Sequence, residues 1–247
     1  MIYIFTHKVT SRVKYAFNLI FKDVLKVDYK LITSRDKFTK LEGIKIAYTV
    51  NPIEGVFFIQ SKNLLFESGI NDQEIKTIPF DRTKAFFGSG SRSMFPFDIF
   101  AASFYLASRY EEYLPHKRDI YDRFDAEQSL AYNEDFIHQP VINIWAIKFS
   151  EALKDIFPVY EPVKSEYKFI TTIDVDNAYA YLEKGFVRTL MGYGKSLLTF
   201  NFNDALARTK TLVGFQEDPY DTFEYQKGLV VDQKLTFIYF FLLGDYG

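Results

Sequence analysis

The run from Lys234 to Gly244 constrains this chain more than any other stretch. Eight of its eleven residues are apolar: Leu235, Phe237, Ile238, Tyr239, Phe240, Phe241, Leu242 and Leu243. A strand with one wet face alternates apolar and polar residues. A run without alternation predicts a strand covered on both faces, the environment of a central strand in a parallel sheet. Parallel strands need long crossovers, usually helical, so an α/β fold is expected.

The N-terminal half reads the same way. Residues 1–6 (MIYIFT) predict a short buried strand, and Thr10 a helix N-cap. Val13, Phe17, Ile20, Phe21 and Val24 recur at helical spacing and form one apolar face. Tyr29–Ile32 predicts a strand, and Ser34 caps a short helix to Lys40. Ile44–Tyr48 and Val56–Ile59 predict two more strands, with a turn around Asn51, Pro52 and Gly55. Residues 60–96, rich in Gly and Pro, read mostly as loop. A helix is expected from Phe97 to Leu114, ended by Pro115, with Phe100, Phe104 and Ala107 on one face. Residues 116–139 are polar with short turns. Val141–Phe157 predicts an amphipathic helix around Ile144, Trp145, Ile147, Phe149 and Leu153.

The proline-bearing segment FPVYEPVKSEY reads as a linker, placing a boundary near residue 165. Residues 1–165 form one α/β domain and 166–247 the start of another. In the second, KFITTI predicts a strand, roughly 177–228 a helix-rich excursion, and KLTFIYFFLLGDYG a further strand. Asp218 and Pro219 suit the start of a helix, at N-cap and N1.

Composition narrows the chemistry. With 48% hydrophobic and 25% charged residues a packed core is expected. There is no cysteine, so disulfides, thiolate metal sites and cysteine nucleophiles are excluded. Net charge is -2 with the signs interspersed, and no basic stripe predicts nucleic acid as a partner. No run reaches the ~18 apolar residues of a membrane helix. The N-terminal apolar run, broken by His7, Lys8 and Arg12, is too short for a signal-peptide core. The expectation is a cytoplasmic protein with no membrane partner.

The segment TTIDVDNAYAY carries the most chemical information. Asp174 and Asp176 follow a β-branched strand, where α/β folds gather functional groups. Carboxylates at i and i+2 on extended backbone point the same way, their Cα atoms ~6–7 Å apart. Such a pair suits a metal-bound water, one carboxylate ligating and the other taking the proton. Asp-x-Asp after a strand is also an ordinary turn, since Asp bonds local amides. Tyr179 and Tyr181 stand beside the pair as candidate platforms for a sugar ring or as packing.

TTIDVDNAYAY, DPYDTFEY at 218–225 and FFLLGDYG at 240–247 resemble the opening of a polysaccharide deacetylase of carbohydrate esterase family four, with its NodB-like distorted (β/α) barrel. Residues 1–165, particularly FDIFAASFYLASRYEEYLP at 97–115, resemble the accessory domain that precedes such barrels in Bacteroidetes-type proteins. The resemblance implies a hydrolase removing acetyl from an N-acetylated sugar with a divalent metal, zinc by analogy. Asp174 matches the family's catalytic base and Asp176 its metal-ligating aspartate, with one residue inserted between the acids. Tyr179, Tyr181 and Asp245 become candidate contacts to a carbohydrate substrate. The family completes its metal site with two histidines spaced four apart. His7, His116 and His138 all lie upstream and none fits. The expectation is therefore a chain that continues past Gly247 and is inactive alone. The alternative is a non-catalytic carbohydrate-binding or scaffold protein with a degenerate barrel.

Overall fold

The computed structural model describes residues 1–163, 166–233 and 235–241. The chain divides into two compact units, Met1–Lys164 and Ser165–Gly247, both mixing helices with parallel strands.

The first unit opens with β1 (Ile2–Phe5), whose Ile2 and Ile4 are buried. Helix α1 (Ser11–Phe17) starts where the Thr10 hydroxyl accepts the Val13 N–H, and it runs on as π-helical turns over Asn18–Val24. The expected stripe is present, with Val13, Phe17, Ile20 and Phe21 all buried. Then come β2 (Tyr29–Ile32), α2 (Arg35–Thr39) capped by Ser34, β3 (Ile44–Thr49) and β4 (Phe57–Gln60). These strands form one parallel sheet in the order β2-β1-β3-β4. One face carries the main core. The other buries Ala47 and Phe58 under Phe38 of α2.

The segment read as loop holds an antiparallel hairpin, β5 (Ile78–Phe80) and β6 (Thr83–Ala85). Its turn is taken by Asp81 at positive φ, with no glycine in the turn to betray it. Helix α3 (Ile99–Ala107) is shorter than expected. Asp98 caps its start, and at Arg109 the backbone turns left-handed at φ 53. That turn buries Tyr110, whose hydroxyl donates to the Asn71 carbonyl at 3.0 Å. After α4 (Leu130–Asn133), helix α5 (Val141–Ile156) lays Trp145, Phe149 and Leu153 on the core. Ile147, expected on that face, is 54% exposed. It sits two residues, ~200°, around from Trp145. The unit closes where the linker was expected to begin: Tyr160 is buried, its hydroxyl 3.0 Å from Ser150 Oγ.

The second unit contains β7 (Ile170–Val175), α6 (Gly185–Leu198), α7 (Phe202–Leu212), α8 (Phe223–Gln233) and β8 (Thr236–Phe241). Strands β7 and β8 pair in parallel, with Asp174 opposite Phe240. The expectation that this last strand is covered on both faces is not met over Thr236–Phe241. Ile238, Phe240 and Phe241 are exposed, because among the described residues β8 has one strand partner and no layer covers both of its faces. Residues 242–247, the rest of the opening run, lie outside the described residues, as does Lys234. Among the described residues no helix is long and apolar enough to cross a membrane.

Candidate functional site

Strand β7 carries Asp174 as its penultimate residue, and Asp176 follows immediately as the chain bends out of the sheet. The pairing places this end beside the C-terminal end of β8. Both carboxylates line a groove of about 440 Å³. Its opposite wall comes from the approach to α8 and its first turn: Pro219, Tyr220, Phe223 and Gln226. Gln226 is fixed by the Tyr239 hydroxyl of β8, which donates to its Oε1 at 2.7 Å. The groove thus has acids on one side and an aromatic wall on the other. Among the described residues neither Asp174 nor Asp176 has an ion-pair partner, whereas the nearby Asp204 and Asp218 are fully engaged.

Asp218 organises the loop that leaves the acid pair. Its carboxylate accepts the amides of Ala180 and Tyr181 at 2.7 Å, and of Leu182 and Tyr220 at 3.0 Å. Burial pushes its pKa up, but the four N–H donors outweigh that and hold it down at about 2. The sequence reading of Asp218 as a helix N-cap is corrected: α8 begins five residues later, and Asp218 caps a loop.

Tyr181 and Tyr179 are not among the residues lining the groove. The Tyr181 hydroxyl donates to Asp204 at 2.9 Å, and the Arg208 guanidinium lies 4.8 Å from its ring. Tyr179 meets Phe223 edge to face at 6.3 Å. The aromatic residues in the groove are Tyr220 and Phe223, which sequence reasoning passed over. The available signal was their position at the start of the helix leading into the next parallel strand. Asp245 lies outside the described residues.

The fit of a metal can be tested on the donor set. Structural and catalytic zinc sites use at least three protein ligands, usually including imidazole. Among the described residues no three His, Cys, Asp or Glu side chains cluster so as to hold a metal ion. Asp174 and Asp176 alone do not make a zinc site.

Elsewhere, His7 packs on Phe66 with ring centroids 4.2 Å apart. Arg109 and Glu112 form the ion pair their spacing predicts, and Glu111 accepts the Leu130 amide at the start of α4.

Residues 2–158 match the model of a family described as Family of unknown function (DUF7033). No curated protein matches the chain, and no solved structure does.

Proposed function

We propose, for a chain that belongs to the DUF7033 family, that its second unit opens a polysaccharide-deacetylase-like (β/α) barrel acting on N-acetylated carbohydrate. The observation that carries this reading is the groove at the C-terminal end of β7, where two carboxylates without ion-pair partners face Tyr220 and Phe223. Strand ends of this kind are where α/β barrels do their chemistry. Carbohydrate sites pair acids with aromatic faces because a sugar offers hydroxyls at its rim and C–H groups on its faces.

In amide hydrolysis water attacks the carbonyl carbon, and a base takes the proton the water loses. Asp174, held by the strand, is assigned that proton, which then passes to the departing amine. Asp176, just past the strand end, is assigned to a divalent cation. Such a cation needs at least one more protein ligand than the described residues provide, and this chain alone is expected not to release acetate. The same shortage supports a second reading, a non-catalytic carbohydrate-binding protein.

The test is calorimetric titration with oligomers of N-acetylglucosamine. Binding is expected, at least ten-fold weaker in Tyr220→Ala and Phe223→Ala, and weaker for the same oligomers without acetyl groups. Absence of binding, or binding indifferent to both substitutions, would overturn the assignment of the groove.

A further inference from the structure

Helices α6 and α7 form a hairpin whose inner seam is polar. Ser196 bonds Asp204, the Tyr193 hydroxyl lies 2.8 Å from Thr209 Oγ1, and Arg208 sits over Gly192. The outer side of α6 is the opposite in character. Phe186, Val187, Leu190, Met191, Leu197 and Leu198 are all exposed, and at 100° per residue they fall within an arc of ~140°. Arg188 and Lys195 border that arc. The tip continues the pattern: Leu198 is 83% and Phe200 79% exposed, and Phe202 at the start of α7 is exposed too.

Phe200 carries a second, independent oddity. Its backbone is left-handed, at φ 53. A bulky aromatic residue rarely adopts that conformation, and a tip chosen for water would place Gly or Asn there. The hairpin therefore holds a large ring outward at a conformational cost. Between residues 183 and 217 five Lys and Arg stand against three acids, a local positive excess in a chain of net charge -2.

We infer that this hairpin is an in-plane membrane anchor: α6 lies on an anionic phospholipid bilayer with Leu198 and Phe200 inserted at its tip. A broad apolar face edged by Arg and Lys is the composition of helices that lie in the headgroup boundary. The positive excess complements anionic headgroups. A second copy of the chain would present the same positive charge, so charge complementarity selects the lipid surface. The sequence expectation of no membrane partner rested on the length of apolar runs, which tests for spanning helices and not for an in-plane one. The inference does not depend on the acid pair.

The experiment is flotation of the full chain with vesicles of phosphatidylcholine mixed with phosphatidylglycerol, and with phosphatidylcholine alone. The chain is expected to float with the mixed vesicles and to partition at least ten-fold less onto the neutral ones. The double variant Leu198→Glu, Phe200→Glu is expected to lose at least ten-fold in partitioning with an unchanged melting midpoint, since both side chains are exposed. No flotation on the mixed vesicles, or flotation unaffected by the double substitution, overturns the inference. A wild-type dimer that becomes monomeric in the double variant, without flotation of either, assigns the face to a second copy and also overturns it.

Discussion

The Tyr48 phenol donates a 2.8 Å hydrogen bond to the Asp98 carboxylate, and both side chains are completely buried. The same carboxylate accepts the Lys62 amide at 2.7 Å and the first amides of α3, tying β3, the segment after β4 and α3 to one acid. Burial raises the Asp98 pKa to about 6 against the pull of these donors.

That shift has a pH signature. An unfolded aspartate titrates near 3.9, so between about 4 and 6 the folded state binds more protons than the unfolded one. Stability from this group falls as pH rises through that window and is lowest above it. Asp98→Asn removes the titration and puts an NH₂ group where Lys62 and Tyr48 donate, at an expected cost of about 1–3 kcal/mol. Urea unfolding at pH 7, 6 and 5 should show the gap between wild type and variant widening as pH falls. A constant or narrowing gap contradicts the assignment.

Asp218 gives the opposite sign. Its folded pKa, near 2, lies below the unfolded value, so its contribution is present above about 4 and lost as pH falls towards 2. Replacing Asp218 by Ala strips four amides of their acceptor. Hydrogen exchange at Ala180, Tyr181 and Leu182 should accelerate at least ten-fold at pH 7. Unchanged protection of these amides would mean that the loop is held by something else.

Gly192 makes room for Arg208. A Cβ at Gly192 would lie 2.5 Å from Arg208 Cζ, and the guanidinium is already flanked by the Tyr181 and Tyr193 rings. Helix propensity alone favours Ala over Gly by about 0.8–1 kcal/mol. The packing predicts the reverse outcome for Gly192→Ala: faster proteolysis between residues 185 and 212. A variant that resists proteolysis better than wild type would show that Arg208 relocates freely.

The first unit is expected to fold by itself, and Tyr160 sets its working edge. A chain ending at Glu161 keeps the Tyr160–Ser150 bond and should melt cooperatively. One ending at Pro158 loses a buried ring and should be less stable by about 3 kcal/mol. Failure of the longer piece to fold would show that the two units share stability.

Strand positions in the first unit were legible because Ile2–Phe5, Ile44–Thr49 and Phe57–Gln60 are apolar runs between turn residues. The β5–β6 hairpin was not, because its turn uses Asp81 and Arg82 in place of the Asn-Gly or Asp-Gly signal. The end of α3 was hidden because Glu111 and Glu112 suit a helix as well as the turn they occupy. Asp98 read as one more polar residue, since nothing local announces partners 36 and 50 residues away. At the site, Asp174 and Asp176 were found from the strand that precedes them. Asp218, Tyr220 and Phe223 reach the same place through a crossover whose path the sequence does not spell out.

The central claim, that Asp174 is a base beside a bound N-acetyl sugar, is tested most directly by the affinity of Asp174→Asn for N-acetylglucosamine oligomers. A base acts on the attacking water, so affinity should stay within about two-fold of wild type while Tyr220→Ala loses at least ten-fold. If Asp174→Asn loses affinity as severely as Tyr220→Ala, Asp174 grips the sugar and the groove belongs to a binding protein. If the wild-type chain binds no N-acetylated oligomer at all, the carbohydrate reading of the groove is wrong.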